Sequence, residues 1–435
     1  MRRVLFLVCL CGFSQAWGAT QVTFSRDVAP ILYKHCIGCH RAGEVGPFPL
    51  VSYSDGAKRA ALIAQVTASR QMPPWKPAPG FGDFKGARVL TNVEIRTLAA
   101  WAKEGAAQGD PAEMPPVPAV SNLSIAQPDL VARMSKPFTV PADGPDIYRC
   151  FVIPLGLNAT LYAGAIEFRP GNPKVVHHAL FFLDRTGAGR KKETEPGSGY
   201  PCFGAPGFLP GAGLGGWSPG SPPILMPEDA SAVLTAKSDL VLQLHFHPTG
   251  KPEPVQASVA FSFTDRVPRR RLMDIALGSR NIDIPAGEKA YKVSDRFTLP
   301  VAVEAIGIIP HAHFICKEMK GIARLPDGST RWLIWIRDWD FNWQEHYRYQ
   351  RPVQLPEGTR LEMEFLYDNS AGNPRNPSQP PRRVQWGPAS SDEMAGLHVQ
   401  VFAAKESDAA ELAETLWGKF MRSVGGAFYT GPDNR

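Results

Sequence analysis

Apolar and polar residues recur with two different periods along this chain. Near the N-terminus the period is helical. Thr91 and Glu94 form a capping box, Ile95, Leu98 and Trp101 follow at helical spacing, and Gly105 and Gly109-Asp110-Pro111 end the helix. Further on, the pattern changes to short β-rich runs at 160–168, 175–183, 239–247 and 258–263, then at 301–309, 331–336 and 361–367. Residues 404–424 are amphipathic, acidic at the start and basic at the end, and predict a C-terminal helix. Between the two patterns, 111–120 (PAEMPPVPAV) reads as a stiff proline linker.

The first residues change the picture from a cytosolic to an exported chain. Arg2 and Arg3 precede an apolar run at 4–12 too short to span a bilayer, and Ala16-Trp17-Gly18 offers small residues for cleavage. A signal at 1–18 predicts a periplasmic or secreted protein, and no later stretch is long enough for a membrane span. Proline is 42 of 435 residues, about twice the usual ~5%, which suits short strands joined by ordered turns. The net charge of +6 falls to +4 without the two signal arginines. The remaining basic residues are scattered apart from Arg269-Arg270-Arg271, which argues against a nucleic-acid partner.

Five cysteines follow the signal, and in an oxidising compartment each needs a role. Cys36-Ile37-Gly38-Cys39-His40 places two thiols on one turn with a histidine directly after them. That is the spacing for thioether attachment of a c-type haem with His40 as axial ligand. Met72, in Met72-Pro73-Pro74-Trp75, is the expected sixth ligand, with Met114 as the alternative. His35 is expected on the surface. Together with Gly46-Pro47-Phe48-Pro49-Leu50 and the helix ending near Asp110, this region resembles small bacterial cytochrome c domains fused to other redox modules.

Six of the remaining histidines fall into three pairs: His177-His178, His245-Phe246-His247 and His311-Ala312-His313. On a strand, His311 and His313 face the same way and can share one ion, whereas adjacent His177 and His178 do so only if the strand is distorted. Imidazole suits zinc, copper, iron and nickel, and a thioether favours copper. A blue-copper site is disfavoured because Cys316 lacks the downstream His and Met it would need.

Val176-His177-His178-Ala179-Leu180, Leu242-Gln243-Leu244-His245, His311-Ala312-His313 and Ser390-Ser391-Asp392-Glu393-Met394 occur in the order found in type II copper, ascorbate-dependent monooxygenases. The chain therefore resembles peptidylglycine α-hydroxylating monooxygenase and dopamine β-monooxygenase over about 146–402. The resemblance implies two copper ions: an electron-transfer copper on His177, His178 and His245, and an oxygen-activating copper on His311, His313 and Met394. It leaves His247 without a counterpart. It also implies a Cys150–Cys202 disulfide, since Asp146-Ile147-Tyr148-Arg149-Cys150 matches the family's first disulfide cysteine. The residues that bind a substrate carboxylate in the peptide-hydroxylating relatives correspond here to Ile309, Gly396 and His398, which implies a substrate that is not a peptide acid.

The expected fold class is multidomain: a small all-α cytochrome c domain followed by two all-β, jelly-roll-like sandwiches. The expected boundaries are signal 1–18, cytochrome c domain 19–110, linker 111–130, first copper sandwich 131–270, and second copper sandwich with C-terminal helix 271–435. The expected function is copper-dependent hydroxylation of a small organic, non-carboxylate substrate with dioxygen. Electrons would come through one haem c from a cytochrome or small-molecule donor. The alternatives are a periplasmic haem/copper electron-transfer or copper-binding protein without hydroxylase activity, and a reductase of a small inorganic molecule.

Overall fold

The computed structural model describes residues 21–425, apart from 43, 45, 119–124, 204, 205, 209, 211, 220, 222, 228 and 388. The expected export signal lies outside the described residues. The chain forms two units. One comprises the described chain up to Arg41 with Phe48–Pro73 and Leu90–Pro118; the other comprises Ala42–Pro47, Pro74–Val89 and the described chain after the linker.

The first unit carries α1 (Ala29–His35), α2 (Tyr53–Ala57), α3 (Ala60–Ala68) and α4 (Asn92–Lys103), opened by a π-helical turn at Phe24–Val28. Helix α4 starts where the capping box places it: Glu94 N–H bonds Thr91 Oγ1 at 3.1 Å and Thr91 N–H bonds Glu94 Oε2 at 2.7 Å. Its Leu98 and Trp101 are fully buried against Phe24 and Leu32, the apolar centre of this unit.

The expectation of an all-α cytochrome c domain over 19–110 followed by two jelly-roll-like sandwiches is corrected here. The protein is predominantly β, and its N-terminal helices are of 7, 5, 9 and 12 residues rather than a continuous helical domain. The chain at Pro74–Val89 leaves the helices and joins the β unit through bridges Pro77↔Ile336 and Phe84↔Tyr349. The reason is local. Pro73, Pro74, Pro77 and Pro79, with Gly80 and Gly82 at positive φ, cannot continue a helix, while Phe84 has an apolar β surface to bury in.

The β unit begins with seven principal strands: β1 (Leu130–Arg133), β2 (Ile147–Pro154), β3 (Leu161–Arg169), β4 (Val176–Asp184), β5 (Ala212–Trp217), β6 (Asp239–Phe246) and β7 (Ser258–Phe263). All their pairings are antiparallel, in the orders β1-β7-β3 and β2-β6-β4-β5, with short strands at the edges. The two sheets share one core containing Phe168, Phe181, Leu242 and Phe261. Cys150 and Cys202 are disulfide-bonded across a separation of 52 residues.

Eight longer strands follow, beside a short two-stranded pair: β8 (Met273–Gly278), β9 (Tyr291–Thr298), β10 (Val303–Ala312), β11 (Cys316–Arg324), β12 (Thr330–Ile336), β13 (Tyr347–Leu355), β14 (Arg360–Tyr367) and β15 (Ala395–Ala403). Their sheets run β8-β15-β10-β13 and β9-β14-β11-β12 around a second core that includes Ile308, Met319, Phe365 and Leu397. Helix α5 (Ala409–Gly425) closes the described chain. A small apolar cluster of Ala230, Ile306 and Phe402 joins the two sheet pairs. No helix among the described residues is long and apolar enough to cross a membrane.

Candidate metal centre

Among the described residues, His177, His178 and His245 form a cluster of ligating side chains. Each offers one ring nitrogen, and these atoms lie within 4.8 Å of one another. Strand alternation alone would send His177 and His178 to opposite faces, so the local backbone matters. The β4–β6 register pairs His178 with His245 and then skips to Val176 with Phe246, which leaves His177 as the extra residue of a bulge. A bulge bends the strand and re-aims its side chain, and that lets adjacent histidines converge.

Several of the ring nitrogens have no partner within the protein. Both nitrogens of His177 and Nδ1 of His245 are buried without a hydrogen-bond partner. A buried polar atom left unpaired is costly, and a cation is the partner that imidazole lone pairs accept. His245 Nε2 donates to Asp146 Oδ2 at 3.0 Å, which puts its proton there and leaves Nδ1 as the lone pair. Burial depresses the His177 pKa to about 3 and holds His178 well below the ordinary histidine range. It also lowers His245, against the attraction of Asp146. Burial therefore favours the neutral form of all three rings, the form that ligates.

The second pair is held by hydrogen bonds at Nδ1. His311 Nδ1 donates to Gln344 Oε1 at 2.5 Å, and His313 Nδ1 donates to the Asp392 carbonyl at 3.2 Å, so each keeps a lone pair at Nε2. Their rings are 5.3 Å apart and nearly perpendicular. Burial depresses them to about 4 and about 3 respectively. Met394 follows Glu393, whose buried carboxylate accepts N–H bonds from His313, Ile315 and Met394 at 3.0, 3.1 and 3.1 Å. Burial pushes that carboxyl up to about 8 despite these bonds. Tyr367 Oη donates to the Met394 carbonyl at 2.7 Å and completes the support of the loop.

Phe341, 4% exposed, stands between the two groups: its ring is stacked on His177 at 5.0 Å and edge-on to His313 at 5.5 Å. His247 is not in the cluster; it is exposed and bonds Asp146 Oδ1 at 2.8 Å through Nδ1. Cross-strand pairing sets Ile309 opposite His398 and His311 opposite Gly396, and His398 Nδ1 bonds Asp274 at 2.9 Å.

In the first unit, the turn after α1 holds the cysteine motif, with His40 N–H bonding the Cys36 carbonyl at 2.9 Å. His40 Nδ1 bonds the Phe48 carbonyl at 3.0 Å. A carbonyl only accepts, so Nδ1 carries the proton and Nε2 keeps the lone pair that an iron needs. Burial lowers the His40 pKa and pushes the Cys36 thiol up to about 12. Met72 is half-buried just after α3, its N–H bonded to the Val66 carbonyl, whereas Met114 packs against the unit's core. His35 is not the surface residue expected: its side chain is 5% exposed and Nε2 pairs with Glu94 at 3.0 Å.

Sequence reasoning missed Asp146, Gln344, Phe341 and Glu393 as parts of the site. Asp146 and Glu393 lie inside the quoted DIYRC and SSDEM segments, so their position along the chain was visible, but their partners come from distant strands.

No family model and no curated protein matches the chain. Among solved structures, it is similar to the infectious bursal disease virus VP2 subviral particle at 12% identity and TM-score 0.20, over 67% of this chain and 78% of that one. It is similar to PNGF-II at 10% identity and TM-score 0.26, over 64% and 65%. Likeness at this level carries no inference about fold or function.

Proposed function

We propose that this protein is a copper-dependent monooxygenase that hydroxylates a small, non-carboxylate organic substrate with dioxygen and draws its electrons through a covalently attached c-type haem. The observation that carries the proposal is the convergence of His177, His178 and His245, with buried unpaired nitrogens, one phenyl ring away from His313. His177, His178 and His245 would hold one copper ion, and His311 and His313 with the Met394 thioether the other. Cys36 and Cys39 would anchor the haem, and His40 Nε2 and the Met72 thioether would be its protein ligands.

When bound, copper supplies reversible one-electron chemistry and oxygen activation that the side chains themselves lack. The chain's part is positional. Gln344 and the Asp392 carbonyl fix the tautomers of His311 and His313, and Glu393 holds the loop that presents Met394. Phe341 lies between the histidine groups, stacked on His177 and edge-on to His313. A soft thioether beside imidazoles favours the reduced metal, whereas three imidazoles accommodate both oxidation states.

The test is oxygen uptake by the copper-loaded full chain over a panel of neutral and apolar compounds, with products identified by mass spectrometry. Copper-dependent uptake matched by a hydroxylated product, and lost in His313→Gln, is the expected result. Two bound coppers that cycle electrons from a donor, with no uptake for any compound, would replace this reading with an electron-transfer role.

A further inference from the structure

Asp146 precedes β2, and its carboxylate is the meeting point of three elements. Oδ2 accepts from His245 Nε2 on β6 at 3.0 Å and from Ser390 Oγ at 2.9 Å, while Oδ1 accepts from His247 Nδ1 at 2.8 Å. Its side chain is 13% exposed. Ser390 is 244 residues away along the chain and lies on the loop that runs into Glu393 and Met394. Glu393 in turn binds the backbone at His313 and Ile315. One carboxylate thus touches a residue of the first histidine group and the loop that supports the second.

We propose that Asp146 is a positioning residue with two linked effects. It selects the His245 tautomer that leaves the lone pair on Nδ1, and it ties that choice to the placement of the 389–394 loop through Ser390. The metal-binding part of this inference rests on the copper reading above; the tautomer and loop parts do not.

The geometry explains why a carboxylate is used. An ionised carboxylate can only accept, so a ring nitrogen facing it must carry the proton, and the other nitrogen must carry the lone pair. An amide in its place could turn its NH₂ toward the ring and reverse the tautomer. With Nδ1 protonated, His245 could not offer that nitrogen to the cluster. Ser390 spends its hydroxyl proton on the same oxygen, so loss of the carboxylate also releases the loop.

The experiment uses the full chain with ¹⁵N-labelled histidine, in wild type, Asp146→Asn and Ser390→Ala. His245 signals are assigned by a His245→Gln variant, and thermal unfolding establishes that each variant is folded. In the metal-free wild type, the ring nitrogen shifts should report His245 protonated at Nε2. Asp146→Asn should move the signal toward the other tautomer or a mixture and raise hydrogen exchange in the 389–394 loop. Ser390→Ala should raise loop exchange while leaving the His245 tautomer unchanged. If Asp146→Asn fails to fold, wild type and Ser390→Ala still decide: a wild-type His245 protonated at Nδ1, or a loop insensitive to Ser390→Ala, overturns the proposal.

Cu(II) is then titrated against a chromophoric chelator and followed by electron paramagnetic resonance. Loss of such an outer carboxylate typically weakens a metal site about 10–100-fold, and Asp146→Asn should do the same to the first equivalent of copper with an altered spectrum. Wild-type affinity and spectrum in that variant would overturn the inference. No copper binding by wild-type protein, with the tautomer and loop effects present, would overturn the copper reading and leave the positioning role standing.

Discussion

Phe341 stacks on His177 with ring centroids 5.0 Å apart and planes at 24°, and its edge meets His313 on the other side. The two histidine groups, drawn from different sheet pairs, therefore share one aromatic wall. Phe341→Ala should lower stability by about 3–5 kcal/mol, the usual cost of emptying a buried phenylalanine site. Copper stoichiometry should be unchanged, because the phenyl ring supplies no ligand. Denaturant unfolding and metal analysis of the variant check both halves; loss of both metals would mean that the ring also sets the histidine geometry.

Copper content should divide by histidine group. Wild type should bind two equivalents, His178→Ala or His245→Gln should each retain one, and His311→Ala or His313→Gln should retain the other. Metal analysis with electron paramagnetic resonance of the remaining ion reads the result. The same residual spectrum in all four variants would point to a single shared site.

The mature protein should carry one covalent haem, visible as an added mass and in a pyridine haemochrome assay. Met72→Ala should change the iron's axial coordination and its absorption spectrum. Met114 packs against the core of the helical unit, so an unchanged spectrum in Met72→Ala and a changed one in Met114→Ala would transfer the ligand role.

Glu94 links the cap of α4 to His35. Burial works to raise its carboxyl pKa, but the Thr91 N–H and hydroxyl and the His35 pair more than offset this and hold it at about 2, below the ordinary 4.5. A depressed carboxylate contributes stability above its unfolded value, and that contribution is lost as pH falls through the folded value. The helical unit should therefore weaken between about pH 4.5 and 2. Glu94→Ala should remove about 1 kcal/mol at neutral pH and flatten this acid dependence. Circular dichroism during acid titration of both proteins provides the comparison.

Peptides ending in glycine should bind poorly. Ile309 and Gly396 offer no charge, and Arg337 and Arg383 are engaged elsewhere: Arg383 pairs with Asp283, and Arg337 lies 4.0 Å over the Trp335 ring. A buried carboxylate without its partner loses several kcal/mol. Competition by such a peptide against copper-dependent turnover measures it, and tight inhibition or hydroxylation would contradict the expectation.

The sequence by itself determined the elements whose cause is local. Alternating apolar runs placed strands close to β3, β4, β6, β10, β12 and β14, and the Thr91/Glu94 box placed the start of α4. The disulfide between Cys150 and Cys202 was legible from the family resemblance and is present. What only tertiary structure decided depends on partners far apart in the chain. Proline and glycine at 73–82 stop a helix, but only the β surface around Tyr349 and Ile336 shows where that segment goes, so the all-α domain was a misreading. Alternation argued against His177 and His178 acting together, and the bulge opposite His245 reversed it, because a register shift belongs to a strand pair and not to one strand. Asp146, Phe341 and Glu393 were invisible as site residues for the same reason: each acts through contacts that exist only once distant strands pack together.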